Sequence, residues 1–426
     1  MRTPDDCASH KRPRLNGSVP PSITTIDHRH KFAGRTSRTL TTLPSQLEVD
    51  QDVVRPRPSI RKSSRYEGIE GAAVELLSNY RLDAPVLEDS SAQTAASYTA
   101  RSIRDAIGNW LRNAPIQARA GEGSGGIAGV LHRDGNAPYV YGEITGYWLR
   151  WASLYAPDPA RMRDAVDFLR RQWSRTQPGA TRVGVPDDWR NRAIFTFDLG
   201  MAVRGLADAV PVVGEAACAE AAAGIMAWIE RMIGPDGRVE PVLPLATDPL
   251  PDTWSTRPGP FQAKPAAAIL QTPEGWLSRG LREAANATLA YWNGLAFQHA
   301  HVHPRMYTLE GMYAAGRLAE PETVLATVPE DGIIPEKVGR GDLRRSDAQA
   351  QVLRLLCLDP HAPAQVRDRV GEILCGMIHE DGRVPFRPGE TGANVWCAMF
   401  VHQALDWWCH LNGDCSSLPP SPGHIV

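Results

Sequence analysis

Glu380-Asp381-Gly382 is followed, after a short spacer, by the apolar run Asn394-Val395-Trp396-Cys397-Ala398-Met399-Phe400-Val401. The same turn recurs as Arg133-Asp134-Gly135, Pro235-Asp236-Gly237 and Glu330-Asp331-Gly332. Its aspartates are 102 (236−134), 95 (331−236) and 50 (381−331) positions apart. The first two intervals are close to twice the third, so two slots stand between the recognised copies. Asn293-Gly294 fills one, and Pro178-Gly179 or Pro186-Asp187-Asp188 fills the other. Six turns with a period of about 50 residues mark a solenoid, a propeller or a closed ring of units.

The helices around these turns narrow the choice. The helix after each turn is apolar nearly all round, as in Ile144-Thr145-Gly146-Tyr147-Trp148-Leu149. The helix before it is amphipathic and rich in arginine, as over Arg161–Arg175 and Ala364–Cys375. An all-round apolar helix is buried, and a one-sided one faces solvent. Helices expected after the turns are Glu143–Tyr155, Arg192–Val210, Phe261–Gln271, Pro304–Leu318, Leu343–Leu358 and Asn394–His410. Their outer partners are expected at Thr99–Arg112, Ala160–Arg175, Glu215–Ile233, Pro273–Tyr291, Pro321–Thr327 and Ala362–Ile378. No strand-rich region is evident. The pattern predicts an all-α fold, an (α/α)6 toroid of six helical hairpins; a horseshoe of hairpins is the alternative.

The chain has 426 residues, 42% hydrophobic and 22% charged, as in a globular protein. A net charge of −2 carries no signature for nucleic acid. No run reaches the roughly 18 apolar residues of a membrane span, and no signal-peptide core is visible near the start. The seven cysteines are odd in number and contain no CxxC pair, which argues against a disulfide or zinc scaffold and for a reducing, cytoplasmic setting. Residues 1–68, with Lys11-Arg12-Pro13-Arg14 and Arg55-Pro56-Arg57-Pro58, read as a disordered basic tail. Order is expected from Ile69–Tyr80 onward. The toroid domain is expected over 69–415, and 416–426 as a flexible tail. The twelve tryptophans serve either as sugar-stacking platforms or as filling for a large helical core.

In such a ring the loops before the inner helices open onto one end of a central funnel, so polar residues there are the candidate site. His303, Tyr307 and Glu310 are spaced i, i+4, i+7 and share one helical face. A histidine, a phenol and a carboxylate in that arrangement make an acid–base set. His299, His301 and His303 alternate, so a metal is conceivable, but no HExxH pattern supports one; neither metal nor cofactor is expected. Glu143 and Tyr147 are i, i+4, beside Tyr139 and Tyr141. Asp198 lies in the apolar run Phe195-Thr196-Phe197-Asp198-Leu199-Gly200, where a lone carboxylate is costly; its alternative role is a structural pair with Arg192. Arg344, Arg345 and Asp347 open the fifth inner helix, and Arg344 is the arginine expected to grip a carboxylate or phosphate. Asn394, Trp396 and His402 come from the sixth unit. The Pro-rich insertion Pro241–Pro260, with Trp254 and Arg257, followed by Gln262 and Lys264, stands where a lid would lie. The glycine-rich loop Gly121–Gly126 lacks the ending of a phosphate loop, and no GxSxG elbow, Walker or dinucleotide motif occurs.

Three stretches carry a resemblance. Phe197-Asp198-Leu199-Gly200-Met201-Ala202-Val203-Arg204-Gly205-Leu206 is similar to an FDTGxVxxGL-like segment of six-hairpin glycosidase-like proteins. Gly142-Glu143-Ile144-Thr145-Gly146-Tyr147 resembles the PExTGY segment of uncharacterised polysaccharide-biosynthesis proteins of that superfamily, and Asn394–Leu405 resembles their last inner helix. Leu199, Cys397-Ala398 and Gly142 depart from the pattern. The resemblance spans about 130–412 and implies the toroid fold and an enzyme acting on sugars, among hydrolases, lyases, epimerases and isomerases. The expected function is a carbohydrate-active enzyme, a role in polysaccharide or glycoconjugate biosynthesis included, that binds a small-molecule or oligosaccharide substrate on Tyr141, Tyr147, Arg192, Trp254, Arg344, Asn394 and Trp396. His303, Tyr307, Glu310, Asp198 and Glu143 are the expected acid–base groups. Neither a nucleic acid nor a membrane segment is expected as a partner. The alternatives are a toroid acting on an isoprenoid or other natural product, and a non-catalytic binding scaffold.

Overall fold

Each recognised Asp-Gly turn forms the same local structure. Asp134, Asp236, Asp331 and Asp381 accept, through Oδ1, the backbone N–H two residues on, at 2.9, 3.0, 3.0 and 3.1 Å. The following glycine takes φ of 81, 77, 75 and 81°. It donates its N–H to the carbonyl three residues back. A positive φ is cheap only for glycine, which is why the dipeptide recurs. The computed structural model of the chain describes residues 90–293, 301–317, 322–338 and 340–426. The expected tail and the Ile69–Tyr80 helix lie outside these residues, as does Gly294.

The helices alternate in chain order between an outer and an inner layer. The outer ones are α1 (Ser90–Asn113), α3 (Pro159–Gln172), α5 (Glu215–Glu230), α7 (Arg279–Trp292), α9 (Glu322–Leu325) and α11 (Ala364–Cys375). The inner ones are α2 (Gly142–Tyr155), α4 (Thr196–Val213), α6 (Ala263–Leu270), α8 (Val302–Ala314), α10 (Ser346–Leu358) and α12 (Val395–Leu411). Each inner helix packs on the next, and α12 packs on α2, so the ring closes. Helix α1 packs on α12 and α11 and joins the first unit to the last. A horseshoe would lack both contacts. No described helix is long and apolar enough to cross a membrane.

Local chemistry sets the helix starts. Asp158 caps α3 by accepting from the Ala160 and Arg161 amides, with Pro159 at the first position, where its missing N–H costs nothing. Ser278 caps α7 in the same way. Most inner helices instead follow extended residues. β1 (Val130–Leu131) pairs with β8 (Ala393–Asn394), β2 (Val140–Tyr141) with β3 (Arg182–Val183), β4 (Ala193–Phe195) with β5 (Val242–Pro244), and β6 (Pro335–Lys337) with β7 (Arg340–Arg344), all antiparallel. The first three pairs stitch neighbouring units together at the end where the inner helices begin. Because Ala193–Phe195 are in β4, α4 starts at Thr196 rather than at Arg192. Strands this short show no alternating pattern in sequence.

Inside the ring, α2 and α4 touch backbone to backbone. A Cβ on Gly146 would sit 2.4 Å from the Met201 oxygen, and one on Gly205 2.2 Å from the Gly146 oxygen. Trp148, Trp151, Trp407 and Trp408 are fully buried in the core. Each such side chain contributes on the order of 2–3 kcal/mol of apolar burial. These four indoles fill the core and are not sugar platforms. The C-terminal segment, expected to be a flexible tail, is instead packed against the ring: Ile425 and Val426 are buried, because their apolar side chains and backbone find partners there.

Candidate functional site

The i, i+4, i+7 spacing of His303, Tyr307 and Glu310 is one instance of a rule that all six inner helices obey. Counted from each helix start, the second residues are Glu143, Phe197, Lys264, His303, Asp347 and Trp396. One turn deeper stand Tyr147, Met201, Ala268, Tyr307, Gln351 and Phe400, and a further turn down Arg150, Arg204, Gln271, Glu310, Arg354 and Gln403. These positions lie on one face of a helix, so the funnel is lined by three stacked layers, except that α6 starts deeper and Lys264 bonds Glu310.

In the first layer two carboxyl groups meet. The Tyr141 hydroxyl donates to Asp198 Oδ2 at 3.0 Å and is also in hydrogen-bonding reach of Glu143. Burial pushes the Glu143 carboxyl up to about 7, against the pull of Tyr141, Lys264, Arg182 and Arg190. Asp198 is pushed well above the usual carboxylate range by burial and then by the charge of Glu143. The charge of Glu143 disfavours ionisation of Asp198, so the two carboxyls titrate as a unit. Above them, the Arg182 guanidinium lies 4.4 Å from the Tyr139 ring and Arg190 4.5 Å from the Trp189 ring. Asp188 holds both arginines, at 2.9 and 3.2 Å.

The opposite wall carries His303. Its Nδ1 lies 2.6 Å from Gln351 Oε1 and 3.3 Å from Asp347 Oδ2. The Gln351 amide nitrogen donates to Glu310 Oε2 at 3.3 Å. A carboxylate only accepts, so it fixes which end of Gln351 faces the imidazole. Nδ1 therefore carries the proton, and Nε2 keeps its lone pair. Burial lowers His303 to about 4, further helped by Arg345 and opposed by Asp347, so the ring is neutral at pH 7. Burial opposes ionisation of Asp347, but Arg345 and His303 outweigh it and hold this carboxyl far below its usual range. Trp396 donates to Asp347 at 3.4 Å. Trp254, from the insertion, lies edge-on to His303 at 6.2 Å and to Phe261 at 4.9 Å.

Tyr307 joins the two walls. Its ring packs on His303 at 4.3 Å and on Phe197 at 4.5 Å. Its hydroxyl faces that of Tyr147, which is buried without a well-formed hydrogen bond. Beneath them the Lys264 ammonium lies 4.5 Å from the Tyr307 ring and 5.0 Å from those of Tyr147 and Phe400. It bonds Glu310 at 2.8 Å, and burial lowers it to about 8. A cavity of about 30 Å³, bordered by Tyr147, Lys264 and Glu310, lies on the deep side of this layer, away from the carboxyl pair. It is large enough for a water.

Glu143, Asp198, Tyr141, Tyr147, His303, Tyr307, Trp254 and Trp396 thus gather about one funnel. Other expected residues stand elsewhere. Glu310 is fully buried in the third layer, bonded to Lys264, Arg354 and Gln351. Arg344 is exposed, while Arg345 turns inward and grips Asp347 through two nitrogens, at 3.0 and 2.7 Å. Successive residues of an extended segment point opposite ways, and that decides between the neighbours. Arg192 pairs with Asp248 at the exposed rim, not with Asp198. Asn394 Oδ1 caps α12 by accepting from the Cys397 amide. His402 is a core residue whose Nδ1 accepts from Trp151. His299 lies outside the described residues. Among those described, no cluster of three or more His, Cys, Asp or Glu is arranged to hold a metal. Gln351 and Arg182 escaped the sequence reading. Counting i, i+4, i+7 from the start of each inner helix would have found Gln351.

No family model matches the sequence, and no curated protein matches it significantly. Solved structures do resemble the fold. A cellobiose 2-epimerase from Bacillus thermoamylovorans is 12% identical, with 73% of this chain and 99% of that chain covered and a TM-score of 0.56. One from Spirochaeta thermophila is 15% identical, with 76% and 99% covered and a TM-score of 0.54. An alpha-amylase from Clostridium perfringens is 10% identical, with 72% and 98% covered and a TM-score of 0.51. The chain has the (α/α)6 toroid fold of these structures.

Proposed function

We propose that the protein is a carbohydrate-active enzyme that works by general acid–base catalysis in the toroid funnel. The observation that carries this reading is the Glu143–Asp198 pair, gathered around one tyrosine hydroxyl with both carboxyls held above their usual range. A group poised near the working pH transfers protons most effectively. The protonated member donates to a glycosidic or carbonyl oxygen, and its ionised partner supports the charge that develops. His303 Nε2 is the second base. Tyr141, Tyr147, Trp254 and Trp396 give the aromatic faces against which sugar rings stack. The charged first layer speaks against an apolar isoprenoid, and the buried acids speak against a passive scaffold, in which they would only cost stability. A role in polysaccharide or glycoconjugate biosynthesis belongs to the same reading and rests on the sequence resemblance.

Two reaction types remain, and each has its own support. Hydrolysis uses two carboxyls flanking one bond, which Glu143 and Asp198 supply. Epimerisation or elimination needs a base for a carbon-bound proton, which His303 supplies. The test is incubation with a panel of oligosaccharides and uronosides in D2O, followed by NMR. New reducing ends indicate hydrolysis; deuterium at a sugar carbon indicates epimerisation. Glu143→Gln and Asp198→Asn are expected to lower the rate about 100- to 10,000-fold. A panel turned over equally by the variants, or not at all by the unaltered protein, overturns the proposal.

A further inference from the structure

The third layer of the ring is unbalanced. It holds three guanidinium groups (Arg150, Arg204, Arg354) and two amides, but one carboxylate, Glu310. Its donors outnumber its acceptors, and buried donors without partners are costly. Asp208 pairs with Arg150 and, at 3.0 Å, with Arg204, and the further acceptors come from the C-terminal segment. Arg150 and Arg204 donate to the Gly423 carbonyl, the latter at 3.2 Å. Gln403 donates to the His424 carbonyl at 2.6 Å and accepts from the Val426 amide at 2.9 Å. Arg354 donates to the Val426 oxygen at 2.9 Å, and Lys264 reaches the same atom at 3.3 Å. Helices α2, α4, α6, α10 and α12 are thereby tied to the backbone of three residues, Gly423, His424 and Val426, and Glu310 of α8 joins through Arg354 and Lys264. Ile425 and Val426 bury their side chains beneath the layer. Upstream, Asp414 and Ser417 hold the segment to Arg104 of α1.

We propose that residues 422–426 are a built-in plug, which closes the far end of the ring and holds Lys264 in place beneath the reacting layer. Rigid seating matters because the same ammonium supports Tyr147 and Tyr307 and bears electrostatically on Glu143. Lys264 is then a positioning residue. That consequence for catalysis rests on the acid–base reading; the plug itself does not.

The test is acylation of the full-length protein by acetic anhydride, read by peptide mass spectrometry. Exposed Lys337 serves as the internal reference. Lys264 is expected to resist in the unaltered protein. In Ile425→Asp, which drives a charge into an apolar seat, and in a chain lacking 422–426, its labelling should rise at least about tenfold, the mark of local opening. Adding the Pro-Gly-His-Ile-Val peptide to the shortened chain should restore protection. A general structural defect would not be rescued in this way. Lys264 that labels as fast as Lys337 in the unaltered protein overturns the plug, as does one equally protected in both folded variants. Should the variants not fold, amide exchange in the unaltered chain decides. A Val426 amide exchanging as slowly as the α12 core supports the plug, and one exchanging within seconds refutes it. Loss of activity in Glu143→Gln with Lys264 still protected tests the acid–base reading separately.

Discussion

At the scale of single residues, the site stores an electrostatic cost that can be measured. The Tyr141 hydroxyl favours ionisation of both Glu143 and Asp198. Tyr141→Phe removes that bond, so the pair should hold its proton to higher pH. A hydrogen bond to a charged group contributes about 1.5–3 kcal/mol, so the acid limb of the pH–rate profile should rise by about one unit. An unmoved limb would show that the pair is not the titrating base. Glu143 also links pH to stability. Its folded value of about 7 lies above the ordinary 4.5, so between these the native state binds more protons than the unfolded chain. Stability therefore falls as pH rises through that window. Glu143→Gln removes the titration, and at pH 8 it should be more stable than the unaltered chain by on the order of 2 kcal/mol. Denaturant titrations at pH 5 and pH 8 check this, and a variant no more stable at pH 8 would contradict it. His303 runs the other way. Its folded value of about 4 lies below the ordinary 6.5, so stability is lost as pH falls through that interval.

At the scale of elements, the Asp-Gly turns were legible because their chemistry is local: an aspartate bonding two residues on and a glycine at positive φ need no tertiary context. The inner helices were legible for a related reason, since an all-round apolar run has one place to go. What could not be read depended on packing. Arg344 was expected where Arg345 stands, because one residue of slip in an extended segment reverses the side chain. The Pro-rich segment ending at Val426 read as a loose tail, because its partners Arg150, Arg204 and Arg354 are scattered over 200 positions (354−150 = 204). Gln351 looked like an ordinary helix residue until Glu310 and His303 came to flank it. The turns themselves offer a paired prediction. Gly135 and Gly382 share φ of 81°. A Cβ on Gly135 meets nothing within 4 Å, whereas one on Gly382 would lie 2.3 Å from the Ala106 oxygen. Gly135→Ala should cost only the left-handed strain, about 1–2 kcal/mol. Gly382→Ala should cost clearly more, since α1 must move aside. Equal melting temperatures for the two variants would mean that the turn on α1 is looser than this geometry.

At the scale of the whole molecule, closure distinguishes this ring from an open array of hairpins. In an open array each unit contacts only its neighbours, and damage at one end stays there. Here α1 seals the seam: it lies against α12 and α11 and anchors the segment that leads to the plug. Arg104 is the centre of that seam. It is buried, and it reaches Asp414 at 2.9 Å, Asp406 at 3.4 Å and the Ser417 hydroxyl. Arg104→Ala leaves Asp406 buried without its cation, while Asp414 keeps Arg101 at 3.0 Å. Removing one partner from a buried pair costs about 3–5 kcal/mol. The distribution of the damage is more telling than its size. Hydrogen exchange should quicken in α1 and, equally, in α12 and the 412–426 segment, although these lie about 300 positions away (406−104 = 302). The inner helices α6 and α8, on the far side of the ring, should be the last to respond. If exchange quickens in α1 alone, the first helix is an appendage and the ring is held shut by its inner layer without it.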